Sequence, residues 1–158
     1  MTLAPIARAA LALTLLLSAT PLLPACAPVS APFDPVAQTN AASLKAETLA
    51  LIDLAADPYA GHAAQVVALT AKLDAAANMA AATPRNSLAA RQWSVLRDPD
   101  RGLYGGTVKL WQAQDTLSPA FRDQKKIQIG RAFDYILCLE ANKQQATSCG
   151  DVQEGGPS

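Results

Sequence analysis

Histidine occurs once in this chain, at His62, and that scarcity excludes several chemistries at the outset. A histidine metal cluster, a haem attachment of the Cys-x-x-Cys-His type and a second catalytic imidazole are all missing. The three cysteines, Cys26, Cys138 and Cys149, form no Cys-x-x-Cys pair. Positive and negative side chains balance at 13 each, so the chain lacks the excess of cations that a polyanion needs, and no nucleic-acid partner is expected. Gly102, Gly105 and Gly106 do not open a phosphate-binding loop after a strand, and no serine-nucleophile motif occurs. Asp98-x-Asp100-x-Gly102 begins like a calcium loop, but its glycine comes one place early and no glutamate stands at the twelfth position. No catalytic residue, cofactor or metal is expected.

What is present begins with a leader. One cation, Arg8, precedes an apolar run over residues 9 to 23, the layout of a secretory signal, too short and too interrupted by proline for a good membrane span. Signal peptidase cleavage after Ala27 or Ala31 would place Pro28 or Pro32 directly after the scissile bond, where a fixed φ and a missing N–H fit poorly.

The segment Leu23-Pro24-Ala25-Cys26 resembles the lipobox of bacterial lipoproteins, with Pro24 departing from the usual small or aliphatic residue. That resemblance implies cleavage before Cys26 and acylation of its sulfur and amine. Ala27, not aspartate, follows, which in Gram-negative lipoproteins points to the outer membrane facing the periplasm. Two or three chains anchor stably, since each buried CH₂ contributes about 0.8 kcal/mol. The competing expectation is a plain secretory signal and a soluble periplasmic protein.

The chain so divides into a signal peptide (1–25), the acylated cysteine with a short tether (26–33), a helical domain (34–143) and a tail (144–158). From Cys26 onward there are 133 residues, enough for one domain with a modest core. Aromatics are 5% and alanine is abundant, so helices should pack closely while burying little area each. Residues 34 to 83 hold five acids and two lysines, and residues 85 to 131 nine bases and four acids. Either the basic half docks on the acidic half, or Arg91, Arg97, Arg101, Lys125 and Lys126 form a basic patch for an anionic partner.

A polar residue before proline recurs at Asp34, Asp57, Thr83, Asp98 and Ser118. Such a residue can cap a helix while proline loses nothing at its first position, so four of the five read as helix starts. Ala37, Ala41, Leu44, Thr48, Leu51 and Ala55 line one face of a first helix to about residue 56. His62, Val66, Leu69, Leu73, Ala76 and Ala80 line a second, and the two form an antiparallel hairpin. A third helix runs from the 83–87 segment to about Arg97, with Leu88, Trp93 and Leu96 inward. Residues 98 to 102 read as a turn that continues through Leu103-Tyr104-Gly105-Gly106. From Thr107 to about Thr116 the alternation of Val108, Leu110 and Gln112 allows a strand, but a lone strand has no partner, so the expectation is a short helix that places Val108 and Trp111 inward. The last, to about Lys143, carries Phe121, Ile129, Ala132, Phe133, Ile136 and Leu139. The fold class is all-α, a four- to five-helix bundle with one C-terminal disulfide.

That disulfide follows from the compartment. Cys138 lies about 200° from Ile136 on the helix, on the outer face, where a free thiol is a liability in an oxidising envelope, and Cys149 is eleven residues away. Trp93, Tyr104 and Trp111 bracket the 98–106 loop and, with Arg97 and Arg101, form a group of the kind enriched at binding hot spots. The competing expectation is that these aromatics are core. Function reads as binding of an unknown envelope protein or a structural role. A pilotin-like chaperone is one alternative, by analogy of lipobox, size and helix content, and predicts a groove for an amphipathic segment. A periplasmic inhibitor or immunity protein is another, presenting the 93–111 segment. Nothing fixes an oligomeric state.

Overall fold

A computed structural model describes residues 30 to 143 and Cys149, so the leader and lipobox, residues 144–148 expected to turn back, and the rest of the tail lie outside the described residues. Among the described residues all regular structure is helical: α1 (Pro35–Asp53), α2 (Tyr59–Ala82), α3 (Ser87–Arg97), α4 (Tyr104–Gln114) and α5 (Pro119–Ala141). None of these helices is long and apolar enough to cross a membrane.

The ends of the helices follow from their caps. Asp34 accepts hydrogen bonds from the N–H groups of Val36 and Ala37, at 2.9 and 3.3 Å, and Ser118 accepts one from Phe121 at 3.4 Å; proline follows each cap. The expected cap at Asp57 is not made. Leu54–Ala56 tightens into a 3-10 turn after α1, Pro58 precedes α2, and the Asp57 carboxylate turns towards His62 at 3.6 Å. Thr83 closes α2 instead of opening α3, its hydroxyl donating to the Met79 carbonyl.

Contacts along α2 order the remaining helices. The Asn86 side chain, just ahead of α3, donates to the Ala80 carbonyl; Arg97, at the end of α3, pairs with Asp74. Tyr104, at the start of α4, bonds Thr70, and Trp111 donates to the Asp57 carbonyl. α3 and α4 therefore run end to end up one side of α2 as a single broken leg. α5 lies antiparallel to α1, with Lys45 paired to Asp134 and Asp53 to Lys126. The result is an up-down-up-down four-helix bundle, its third leg interrupted at residues 98–103. Asp74–Arg97 and Asp53–Lys126 join acids of the first hairpin to bases of the second, the sense the uneven charge distribution anticipates, whereas Lys45–Asp134 runs the other way.

Leu44, Ile52, Leu73, Leu96, Ile129, Phe133 and Ile136 are fully buried, and the stripes of α1 and α2 face them. In α3 the phase differs from expectation: Ala89 is buried and Leu88 exposed. The small residue is inside because α3 there meets Tyr135, Leu139 and the disulfide. Cys138 and Cys149 are joined, as expected from the sequence. Cys149 is fully buried, so the bridge belongs to a second small apolar cluster and does not merely cap an exposed thiol.

α4 begins three residues earlier than the sequence suggests, because Tyr104-Gly105-Gly106 are its first turn and not loop. A Cβ on Gly105 would stand 2.0 Å from the Arg97 carbonyl oxygen, and one on Gly106 1.8 Å from that of Arg101. The glycines are thus required where α4 folds back tightly over the end of α3. Asp115 then leaves the helix with φ of 67°, a left-handed conformation that Asp tolerates, and its carbonyl accepts from Tyr59 at 2.9 Å.

Candidate functional site

The break in the third leg leaves an open surface feature beside α5. α3 packs on α5, but α4 stands away from it, and an open groove of about 510 Å³ lies between them. Leu110, Ala113 and Phe121 give it apolar walls, and Gly106 also lines it. Arg101, Lys109 and Lys125 edge it with positive charge, against one acid, Asp100.

Each charged side chain is held by a local device. Asp98 accepts a hydrogen bond from the Asp100 N–H at 2.9 Å while its carbonyl accepts from Arg101 at 3.1 Å, which fixes the 98–101 turn. Lys109 donates to Asp100 at 2.8 Å. That hydrogen bond and the charge behind it hold the Asp100 carboxyl below its ordinary range and raise Lys109 above its own, so both are ionised at neutral pH. Lys125 reaches across the groove's end to the Gly102 carbonyl at 2.8 Å and to Gln128 at 2.9 Å, lying over the Phe121 ring at 5.2 Å. Arg101 is loosely held, its ion pair with Asp98 being 3.7 Å long and exposed. Apolar walls with a cationic rim suit an amphipathic segment that carries carboxylates along one edge.

The expected aromatic and arginine group is distributed differently. Trp93, Tyr104 and Trp111 are core residues, 3, 2 and 0% exposed. Trp93 meets Phe133 edge-on; Trp111 packs against Tyr59 and His62 and donates to the carbonyls of Asp57 and Asp115. Tyr104 does not lie on a loop. Its hydroxyl bonds Thr70 at 2.7 Å, and burial raises its pKa despite that bond. Arg97 is occupied with Asp74, leaving Arg101 as the one member of the group on an open surface. The intervening turn presents Pro99, Asp100, Arg101 and Gly102 and no aromatic anchor.

Leu110, Ala113 and Phe121 were not marked by sequence reasoning as a surface. Leu110 and Ala113 sit three apart on α4, within the helix expected from Thr107, but no periodic signal shows that this face lies open beside α5, and Phe121 reads as core. The chain matches none of the family models, curated proteins or solved structures with which it was compared.

A second, smaller cavity of about 120 Å³ lies at the opposite end of the bundle, between Pro32, Ala37, Met79 and Trp93. Its charged wall is Glu140 and Lys143, which face each other at 2.7 Å with side chains 3 and 5% exposed. Lys143 also donates to the Asn86 side-chain oxygen at 2.9 Å. This arrangement joins the end of α5 to the turn before α3 and through it to the end of α2. His62 hydrogen-bonds Gln65 and is half-buried against Trp111. No three His, Cys, Asp or Glu side chains converge on a metal-sized site among the described residues.

Proposed function

We propose that the protein is a lipid-anchored binding protein of the cell envelope, acylated at Cys26, held at the outer membrane facing the periplasm, and taking up a short amphipathic segment of an envelope protein. The observation that carries the binding half of this reading is the groove between α4 and α5, with apolar walls Leu110, Ala113 and Phe121 beneath the cations Arg101, Lys109 and Lys125. Its charge selects a segment with acidic side chains flanking its apolar face. The Leu23-Pro24-Ala25-Cys26 segment supports the anchor, and the fold beginning at once after it supports a domain held close to the bilayer. A pilotin-like chaperone, which escorts another envelope protein by such a segment, is the form of activity this layout fits best.

The binding half is tested by site-specific photo-crosslinking in intact cells from positions 110 and 113, with Val67 on the exposed face of α2 as control. One discrete adduct from the groove, absent from position 67 and lost when Arg101 and Lys125 are both changed to glutamate, is expected. Adducts that arise equally from position 67, or that survive the charge reversal, would contradict it.

A further inference from the structure

The end of the bundle from which the tether leaves carries an unusual concentration of exposed apolar side chains. Phe33, Val36, Met79 and Leu88 are 53, 70, 55 and 38% exposed, and only two other large hydrophobic residues, Val67 and Ile127, are comparably exposed among the described residues. Phe33 and Val36 flank the first turn of α1, Met79 lies in the last turn of α2, and Leu88 in the first turn of α3. Pro32, Asp34, Met79 and Thr83 share the rim of one cavity, which places the first three segments side by side. The acids of this end are withdrawn: the Asp34 carboxylate caps α1, and Glu140 is buried on Lys143, while the cation Arg85 is exposed in the turn before α3. At the other end Asp53, Asp57, Asp115, Arg122 and Lys126 surround the chain turns.

The tether fixes how far this surface can stand from an anchor. Ala31 is fully buried, and its N–H donates to the Arg85 carbonyl at 3.2 Å, beside the start of α3. Only five residue steps separate Ala31 from Cys26, a reach of at most roughly 18 Å. The headgroup layer of one leaflet takes up about 5–8 Å of that distance. That leaves about 10–13 Å between this end of the bundle and the lipid surface, so an anchored chain keeps its apolar end beside the bilayer.

We infer that this end of the bundle is a lipid-contact surface, in which Phe33, Val36, Met79 and Leu88 enter the headgroup region and orient the bundle upright on the bilayer. The inference rests on the acylation of Cys26 in the proposed function. It adds a consequence for the groove: residues 121 and 141 of α5 are about 30 Å apart along the helix axis, so the groove points away from the membrane at the far end. A partner segment would be held clear of the headgroups.

The test uses the acylated full-length chain, purified from the membrane fraction and reconstituted into vesicles of phosphatidylethanolamine and phosphatidylglycerol. Single Val36→Cys, Met79→Cys, Val67→Cys and Ile127→Cys variants carry an environment-sensitive fluorophore, the native Cys138 and Cys149 being bonded to each other. Brominated lipids should quench the label by about half or more at positions 36 and 79 and leave 67 and 127 unquenched, since interfacial side chains reach about 5–10 Å into the boundary. Flotation with the vesicles reports the anchor separately. A chain that floats but is unquenched at 36 and 79, or is quenched equally at all four positions, overturns the lipid-contact surface alone. A chain of unmodified mass that does not float overturns the anchor and the surface together.

Discussion

Replacing Lys143 by methionine should be among the most damaging single changes in the domain. Its ammonium faces the Glu140 carboxylate at 2.7 Å, with both side chains at least nine-tenths buried, and donates to Asn86 at 2.9 Å. Lys143→Met preserves much of the aliphatic stem and removes the charge, leaving Glu140 buried without a counter-ion. Breaking such a pair costs about 3–5 kcal/mol. The orphaned Asn86 oxygen adds about 1 kcal/mol. The double variant Glu140→Leu/Lys143→Met removes both charges and should lie within about 1 kcal/mol of the parent, or above it, because the desolvation of both ions is then avoided. The assay is urea unfolding of a Cys26→Ser chain with its disulfide intact, followed by fluorescence of the adjacent Trp93 and by circular dichroism. The expected coupling between the two substitutions is about 2 kcal/mol or more. If Lys143→Met alone costs less than about 1 kcal/mol and the two changes are additive, the pair does not work as a buried ion pair and the reasoning fails.

Other consequences are independent of that network. Gly105→Ala should destabilise by about 2 kcal/mol or more, since its Cβ would overlap the Arg97 carbonyl, whereas Gly61→Ala, with nothing within 4 Å, should stabilise by about 0.5–1 kcal/mol; thermal melts compare them directly. Thr48→Val should raise stability by about 1 kcal/mol in the same melts, because the Thr48 hydroxyl is fully buried and makes no hydrogen bond. Tyr104 has a raised pKa in the folded state, so its contribution to stability is complete below pH 10 and is lost as pH rises from there through the folded value. Tyr104→Phe should therefore flatten the alkaline side of the stability profile, and at neutral pH cost about 1 kcal/mol through the lost bond to Thr70. An unchanged alkaline slope would refute that assignment.

Much of the fold is legible in the chain because α1 and α2 each bury one unbroken stripe. Ala41, Leu44, Thr48 and Leu51 in the first and Val66, Leu69, Leu73, Ala76 and Ala80 in the second are buried where the helical period places them. The disulfide is legible for a different reason, as the pairing that an oxidising compartment favours. The broken third leg is harder to read. Gly105 and Gly106 look like loop until the carbonyls of Arg97 and Arg101 are known to press against them, and those contacts are tertiary. Leu88 and Ala89 exchange places with expectation because the core there is filled by Tyr135 and the disulfide, leaving space only for a methyl group. The groove is a by-product of the same break, assembled from two helices separated by a cap, so no single periodic stretch encodes it. Glu140 and Lys143 stand at i, i+3, the spacing of an ordinary surface pair, and their burial beside Asn86 is a product of tertiary packing.

The most direct measurement is the intact mass of the chain isolated from the membrane fraction. A species beginning at Cys26, heavier by its acyl chains and two mass units lighter for the Cys138–Cys149 bond, is the expected result. An unmodified chain beginning at another residue, recovered from the soluble fraction, would contradict the anchored binding protein proposed above.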